Sequence, residues 1–317
     1  MYRCRLCKCG ERKYMKSKLV NTALMFLAAM IWGASFVAQS EGAELVETFT
    51  FMGIRTTMGG LCLLPVIWFL DKKKPAGERK ALLPVKSDKK LLEGGIVCGL
   101  IMAVASNLQQ LSFAFGIDAG KCGFITSFYV MLVPIFSVLL FRRRYRWPTW
   151  LGVAIALCGM YLLMIKDDFS INKSDLIVFA CAIGFAFHIL AIDHYVAQVD
   201  GVRLSCLQFL VCGITSLIMM FIFENPNLGN ILKAWLPLCY SGILSCAVAY
   251  TLQVVCQKHV EPALASLILS LESVFSVLAG WLLLHEMLSN RDLLGCALTF
   301  AAVVIVELTP APGEKKA

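Results

Sequence analysis

Charged and amide side chains are scarce inside the long apolar runs of this 317-residue chain, and chemistry has to be sought among the few that occur there. Arg55 lies within the run Thr48 to Leu70. Its guanidinium offers a bidentate fork to a carboxylate or phosphate. It could equally pair with Glu41, Glu44 or Glu47, or reach outward along its own stem. Glu272 is the acidic residue in the middle third of a run. It can bind a cationic group or exchange a proton, or it can hydrogen-bond a neighbouring helix and hold a bundle together. His188 offers a proton relay, since imidazole titrates near neutrality, or a neutral bond between helices. Asn107 and Gln110 are three residues apart and share a helix face, as do Tyr250, Gln253 and Gln257. Such amides bind polar atoms of a substrate or serve as interhelical hydrogen bonds. Trp32, next to Gly33, either lines a cavity or packs where the glycine lets two helices approach. Asp193 and His194 sit nearer a run's end and mark a helix end or a gate. The substrate-binding set read from the sequence is therefore Trp32, Arg55, Asn107, Gln110, His188, Tyr250, Gln253 and Glu272, with no catalytic residue, metal or cofactor.

The elements that carry these residues follow from composition. The chain is 59% hydrophobic and only 16% charged, with mean hydropathy +0.75. Soluble domains carry closer to a quarter charged residues, so lipid must be the solvent for much of this surface. Ten runs approach the roughly 20 apolar residues that span a bilayer: Val20 to Ser40, Thr48 to Leu70, Leu91 to Phe115, Cys122 to Phe141, Pro148 to Ile165, Ser174 to Ala197, Leu204 to Phe223, Trp235 to Val255, Pro262 to Leu284 and Leu293 to Leu308. Their length and lack of strict alternation predict helices rather than a barrel. Most of the 14 cysteines fall inside these runs and read as small apolar packing residues. The exception is Cys4, Cys7 and Cys9, a spacing suited to metal but without a fourth ligand. They lie in a basic segment before Met15, which reads as an upstream extension. No cleavable signal peptide is evident.

Basic residues set the orientation. With the N-terminus inside, twenty-three of the 29 Lys and Arg fall in inside loops, five in outside loops, and Arg55 in a run. That split explains the net charge of +8 without nucleic acid and requires an even number of spans with both termini cytoplasmic. The two halves also resemble one another. Phe136-Ser137-Val138-Leu139 recurs as Phe275-Ser276-Val277-Leu278, Leu151-Gly152 as Leu294-Gly295, and Leu108-Gln109 as Leu252-Gln253. Spans one to five map onto six to ten, and an odd number of spans per copy turns the second copy upside down. Inverted repeats of this kind occur in secondary transporters, with the binding site between the halves near the midplane.

The chain resembles the EamA-like permease branch of the drug/metabolite transporter superfamily over Lys18 to about Leu308. The likeness rests on Ile31-Trp32-Gly33-Ala34-Ser35-Phe36-Val37, on Phe51-Met52-Gly53-Ile54-Arg55, on Ser106-Asn107-Leu108-Gln109-Gln110, and on Ala119-Gly120-Lys121-Cys122-Gly123-Phe124-Ile125-Thr126. Leu271-Glu272, His285-Glu286-Met287-Leu288-Ser289 and Leu293-Leu294-Gly295 complete it. Two departures stand out. Ser273 follows Glu272 where the family often has proline, which puts a bend of the ninth span in question. Arg142, Arg143 and Arg144 follow the fourth span where the family often has an acidic residue, which fits an inside loop. The resemblance implies transport of amino acids, other metabolites or drugs, and leaves the substrate open.

The architecture expected is an all-α integral membrane protein of ten transmembrane helices in two inverted five-helix repeats, 18–166 and 167–308. A basic cytoplasmic segment, 1–17, precedes them and a tail, 309–317, follows. The function expected is secondary transport of an amino acid, amine or drug-like molecule across the plasma membrane by alternating access, in the export direction. No G-x-x-x-x-G-K-[ST] is present to use ATP, and neither H-E-x-x-H nor G-x-S-x-G suggests an enzyme. The alternatives are a sugar- or nucleotide-type permease of the same superfamily and a non-transporting receptor or scaffold. The longest loop, Asp71 to Lys90, is short for the latter. The partners expected are a small-molecule substrate, the lipid bilayer and, as an open alternative, a second copy of the chain, but no nucleic acid.

Overall fold

The computed structural model describes residues 2–75, 82–83, 88–164, 172–284 and 289–308, with side chains described from residue 19 onward except at 280, 283 and 284. The side chains of the three N-terminal cysteines are not described, and Arg79, Lys80 and Lys86 of the loop Asp71 to Lys90, Lys166, His285 to Leu288 and the C-terminal tail lie outside the described residues. The described residues contain no strand. They form ten helical segments: α1 (Tyr2–Leu45), α2 (Thr48–Lys72), α3 (Lys89–Ala114), α4 (Ala119–Phe141), α5 (Trp147–Met164), α6 (Lys173–Val196), α7 (Gly201–Phe223), α8 (Trp235–Gln257), α9 (Pro262–Leu269 and Glu272–Leu284) and α10 (Asn290–Glu307). A short helix, Leu228–Lys233, leads into α8.

Eight of these are long and apolar enough to cross a membrane. The other two of the ten expected spans are α5, which is apolar but shorter, and α10, which carries Arg291, Asp292 and Glu307.

Three features were not legible as runs of hydropathy. The fourth segment is broken, into Ala119–Thr126 and Tyr129–Phe141. The ninth is broken likewise. At each break the ladder tightens by one residue, with Phe128 N donating to Ile125 O and Leu271 N to Ile268 O, both at 3.2 Å. The ninth span therefore breaks without a proline after Glu272. Serine hydroxyls take over backbone carbonyls there instead, Ser270 Oγ to Leu267 O and Ser273 Oγ to Ser270 O. Side chains that compete in this way for backbone partners weaken a helix locally. The third feature is in α8, which is π-helical over Tyr240–Tyr250. Wide turns of this kind are rare and tend to occur at functional sites.

The broken helices reveal the register of the internal repeat. Ala119 and Pro262, Tyr129 and Glu272, and Trp147 and Asn290, each opening a helix, all stand 143 residues apart, and the paired helices have equal lengths of 8, 13 and 18 residues. The Leu-Gly match obeys that shift. The Phe-Ser-Val-Leu match misses it by one helical turn and the Leu-Gln match by one residue, so Glu272 corresponds to Tyr129 and not to Val133.

The packing has the same internal symmetry. α2 packs on α7, and α5 on α10. α1 meets α9 as α6 meets α4, and α2 meets α8 as α7 meets α3. The first two pairs are antiparallel: Glu224 after α7 accepts from Phe49 N and Thr50 N at the start of α2, while Arg203 at the start of α7 ion-pairs with Asp71 at its end. Glycines let these helices approach closely. A Cβ on Gly159 of α5 would lie 2.5 Å from Thr299 Oγ1 of α10, and one on Gly213 of α7 would lie 2.3 Å from Thr57 Oγ1 of α2. In lipid, where no hydrophobic effect drives helices together, such small-residue contacts supply much of the association. Of the cysteines inside the apolar runs, Cys98, Cys181 and Cys212 are fully buried and unpaired, whereas Cys62 and Cys296 are partly buried and Cys158 is exposed.

Candidate functional site

The two halves enclose a cavity of about 40 Å³, lined by α1, α2, α3, α4, α6, α8 and α9. At roughly 10–15 Å³ for each water, it has room for a few solvent-sized molecules. Both helix breaks open onto it: Thr126 and Tyr129 flank the break in α4, and Leu269 and Glu272 flank that in α9. The π-helical stretch of α8 contributes Ser245 and Tyr250.

Six of the eight residues singled out from the sequence line this cavity: Trp32, Arg55, His188, Tyr250, Gln253 and Glu272. Arg55 is 3% exposed. Its Nη2 donates to Ser245 Oγ at 3.2 Å, while Nε and Nη1 have no partner among the described residues. It does not pair with Glu41, Glu44 or Glu47. Glu47 instead accepts from Asn225 N. Among the described residues the only ring contact of Arg55 is a distant one, 5.9 Å from the centroid of Phe51.

Glu272, 5% exposed, stands at the first position of its half-helix. The positive end of a helix dipole favours a carboxylate there. Its Oε1 accepts from Tyr129 Oη at 2.9 Å. No Lys, Arg or His among the described residues forms an ion pair with it.

His188 is fixed through one nitrogen, Nε2, which lies 3.1 Å from Gln208 Oε1 of α7. Nδ1 has no described partner, so an interhelical bond and a face on the cavity coexist in one residue. Trp32 likewise does both things considered for it. Its indole Nε1 donates to Ser245 O across to α8, its ring lies 4.4 Å from that of Tyr250, and Gly33 beside it faces Phe275 of α9 so closely that a Cβ would lie 2.5 Å away. Gln253 spends Nε2 on Gln257 Oε1 and leaves its own Oε1 without a described partner.

Asn107 and Gln110 do not line the cavity. Asn107 faces α7, where its Nδ2 donates to Ser216 Oγ at 2.8 Å, and Gln110 faces α1, donating to Gln39 O. Both act as ties between helices. On that helix the cavity side chain is Gln109, which donates to Thr126 Oγ1 at 3.0 Å. One residue is about 100° on a helix, enough to exchange a cavity position for a buried tie. Asp193 pairs with Arg143 of the loop after α4, away from the cavity.

The sequence reading missed Tyr129 and Ser245. The break in α4 aims Tyr129 at Glu272, and no periodicity announces a break. The repeat itself carried a signal for Tyr129, but only in the register of the equal helices.

Residues 21–165 and 172–308 each match the EamA-like transporter family. An uncharacterized transporter of Archaeoglobus fulgidus is 28% identical over 285 residues, covering 89% of this chain and 84% of that protein. The uncharacterized transporter YoaV of Bacillus subtilis is 22% identical over 290 residues, covering 88% and 94%. A solved crystal structure shares the fold with a TM-score of 0.73 at 18% identity, covering 91% of this chain and 96% of that one.

Proposed function

The chain belongs to the EamA-like transporter family, within the drug/metabolite transporter superfamily, and from that membership we propose that it is a secondary transporter, an exporter of a small metabolite such as an amino acid, amine or drug-like molecule. Ten spans, arranged as two inverted five-helix repeats over 18–166 and 167–308, carry the substrate across the plasma membrane with both termini in the cytoplasm. The cavity carries this reading. It lies between the halves, at the breaks of α4 and α9, and several residues that line it hold buried polar atoms without a partner among the described residues. Discontinuous helices whose inner ends meet at a central cavity are the common way for secondary transporters to present helix termini to a substrate. Alternating access then exposes the cavity first to one side and then to the other.

Purified protein in liposomes, assayed for flux of amino acids, amines, sugars and nucleobases in both directions, tests it. Saturable flux of at least one class that Glu272→Gln abolishes is the expected result. Uniform silence across the panel, in protein that stays folded, would favour a receptor or scaffold.

A further inference from the structure

α6 lines two separate spaces. His188 and Ile189 line the central cavity, whereas Phe187, Leu190 and Ala191 line a groove of about 590 Å³ between α3, α4 and α6. The groove exists because α3 and the half-helix Tyr129–Phe141 of α4 both pack on α6 and barely touch one another. Its volume falls within the roughly 300–1,000 Å³ of small-molecule sites. From Gly184 to Tyr195 it follows eleven residues of α6, about 16 Å of helix. That is close to half of a hydrocarbon core about 30 Å thick, so the groove is as deep as one leaflet. Gly184 closes the deep end against Ala105, where a Cβ would lie 2.8 Å away. From Val104 near that end to Leu140 and Phe141 at the mouth the lining is apolar, and only His194 and Tyr195 add polar atoms.

The mouth is basic. Phe141 leads directly into Arg142, Arg144 and Arg146, all exposed, and none of these side chains forms an ion pair among the described residues. The carboxylates beside them are already engaged: Asp193 by Arg143, and Glu93 by Lys90 and Tyr195. Arg142 caps its helix with φ at 52°, and Arg143 N donates to Ser137 O to close the turn. Glycine is the usual residue in that left-handed position, so an arginine there is kept against the backbone's preference. Nor does the repeat require the charge. The counterpart of Arg142–Arg146, 143 residues on, is His285-Glu286-Met287-Leu288-Ser289, without arginine or lysine.

We propose that the groove holds one acyl chain of an anionic glycerophospholipid, with its phosphate on Arg142 and Arg144. Bulk lipid wets any apolar face, but a groove one leaflet deep that ends in uncommitted arginines selects for a charged head as well as a chain. Basic pockets between spans bind anionic head groups in this way, and the guanidinium fork meets phosphate through two parallel hydrogen bonds. The chain fills the gap beside the half-helix that carries Tyr129, and so braces that half-helix against α3.

The test is native mass spectrometry of full-length protein in detergent, titrated with phosphatidylglycerol and with phosphatidylcholine of identical chains. The first phosphatidylglycerol should bind about tenfold tighter than phosphatidylcholine, as two arginines near a charged head imply. The double variant Arg142→Gln with Arg144→Gln should erase that preference, and the corresponding pair of lysine variants should keep most of it. Val104→Trp fills the deep end from a position 61% exposed, and should weaken both lipids at the first site. Unfolding temperatures close to the wild type show that each variant is folded. Equal affinity for the two lipids overturns the proposal and leaves only bulk lipid at this face. An unchanged preference in the double glutamine variant overturns it too, as does an unchanged first site in Val104→Trp. Glycerol 3-phosphate, a head without chains, forms the last arm. Competition at the lipid's own concentration would make the arginines a free-phosphate site and sink the groove's part in it.

Discussion

Tyr129 and Asn107 separate two kinds of buried hydrogen bond. Tyr129 bonds a carboxylate that faces the cavity, whereas Asn107 bonds the hydroxyl of Ser216 in the contact between α3 and α7. Tyr129→Phe is expected to reduce flux at least tenfold, and to cost about 1–3 kcal/mol of stability for leaving a buried acceptor unsatisfied. Asn107→Ala is expected to cost about 0.6–2 kcal/mol, read as a lowered unfolding temperature in detergent, with ligand selectivity unchanged. A change of selectivity in Asn107→Ala would return that residue to the cavity. Arg55, His188 and Glu272 were legible from sequence because a charge or imidazole in an apolar run has few places to go. Amides gave a weaker signal. Asn107, Gln109 and Gln110 are neighbours of similar chemistry, and only helix rotation decides which one faces inward.

The helices themselves were legible, because long apolar runs leave few alternatives in lipid. The sixth run, Ser174 to Ala197, differs by one residue at each end from the helix Lys173–Val196. What lies within a helix was not legible. The breaks after Thr126 and Leu269 and the wide turns of Tyr240–Tyr250 leave hydropathy unchanged, since they rearrange backbone bonds and not side-chain polarity. The contact of α5 with α10 gives a prediction at this scale. A methyl group on Gly159 would lie 2.5 Å from Thr299 Oγ1 and 2.8 Å from Gly295 O. Gly159→Ala should therefore destabilise the protein by about 1–3 kcal/mol, the range for overpacking, measured by thermal unfolding in detergent. Gly123→Ala is the control. Its nearest neighbour would be a Phe36 ring carbon at an ordinary 3.5 Å, so little change is expected.

At the scale of the whole molecule, the asymmetry of basic loops makes the orientation testable. A cytoplasmic reporter fused after Lys90 should be active, and an external reporter fused after Asp168 should be active. Lys90 on the outer side would overturn both the orientation and the inverted arrangement. The joining of α2 to α7 has a mechanical meaning as well. Glu224 grips one end of α2 and Arg203 the other, with Gly213 seated against Thr57 between them. Two plates bolted along a seam cannot part at the seam; they can only swing about it. On the proposed alternating-access reading, the pair α2 and α7 would serve as the axle, with the travel at the far margins, where α1 faces α9 and α4 faces α6. An engineered disulfide across the axle should leave flux nearly intact, whereas one joining α1 to α9 should stop it.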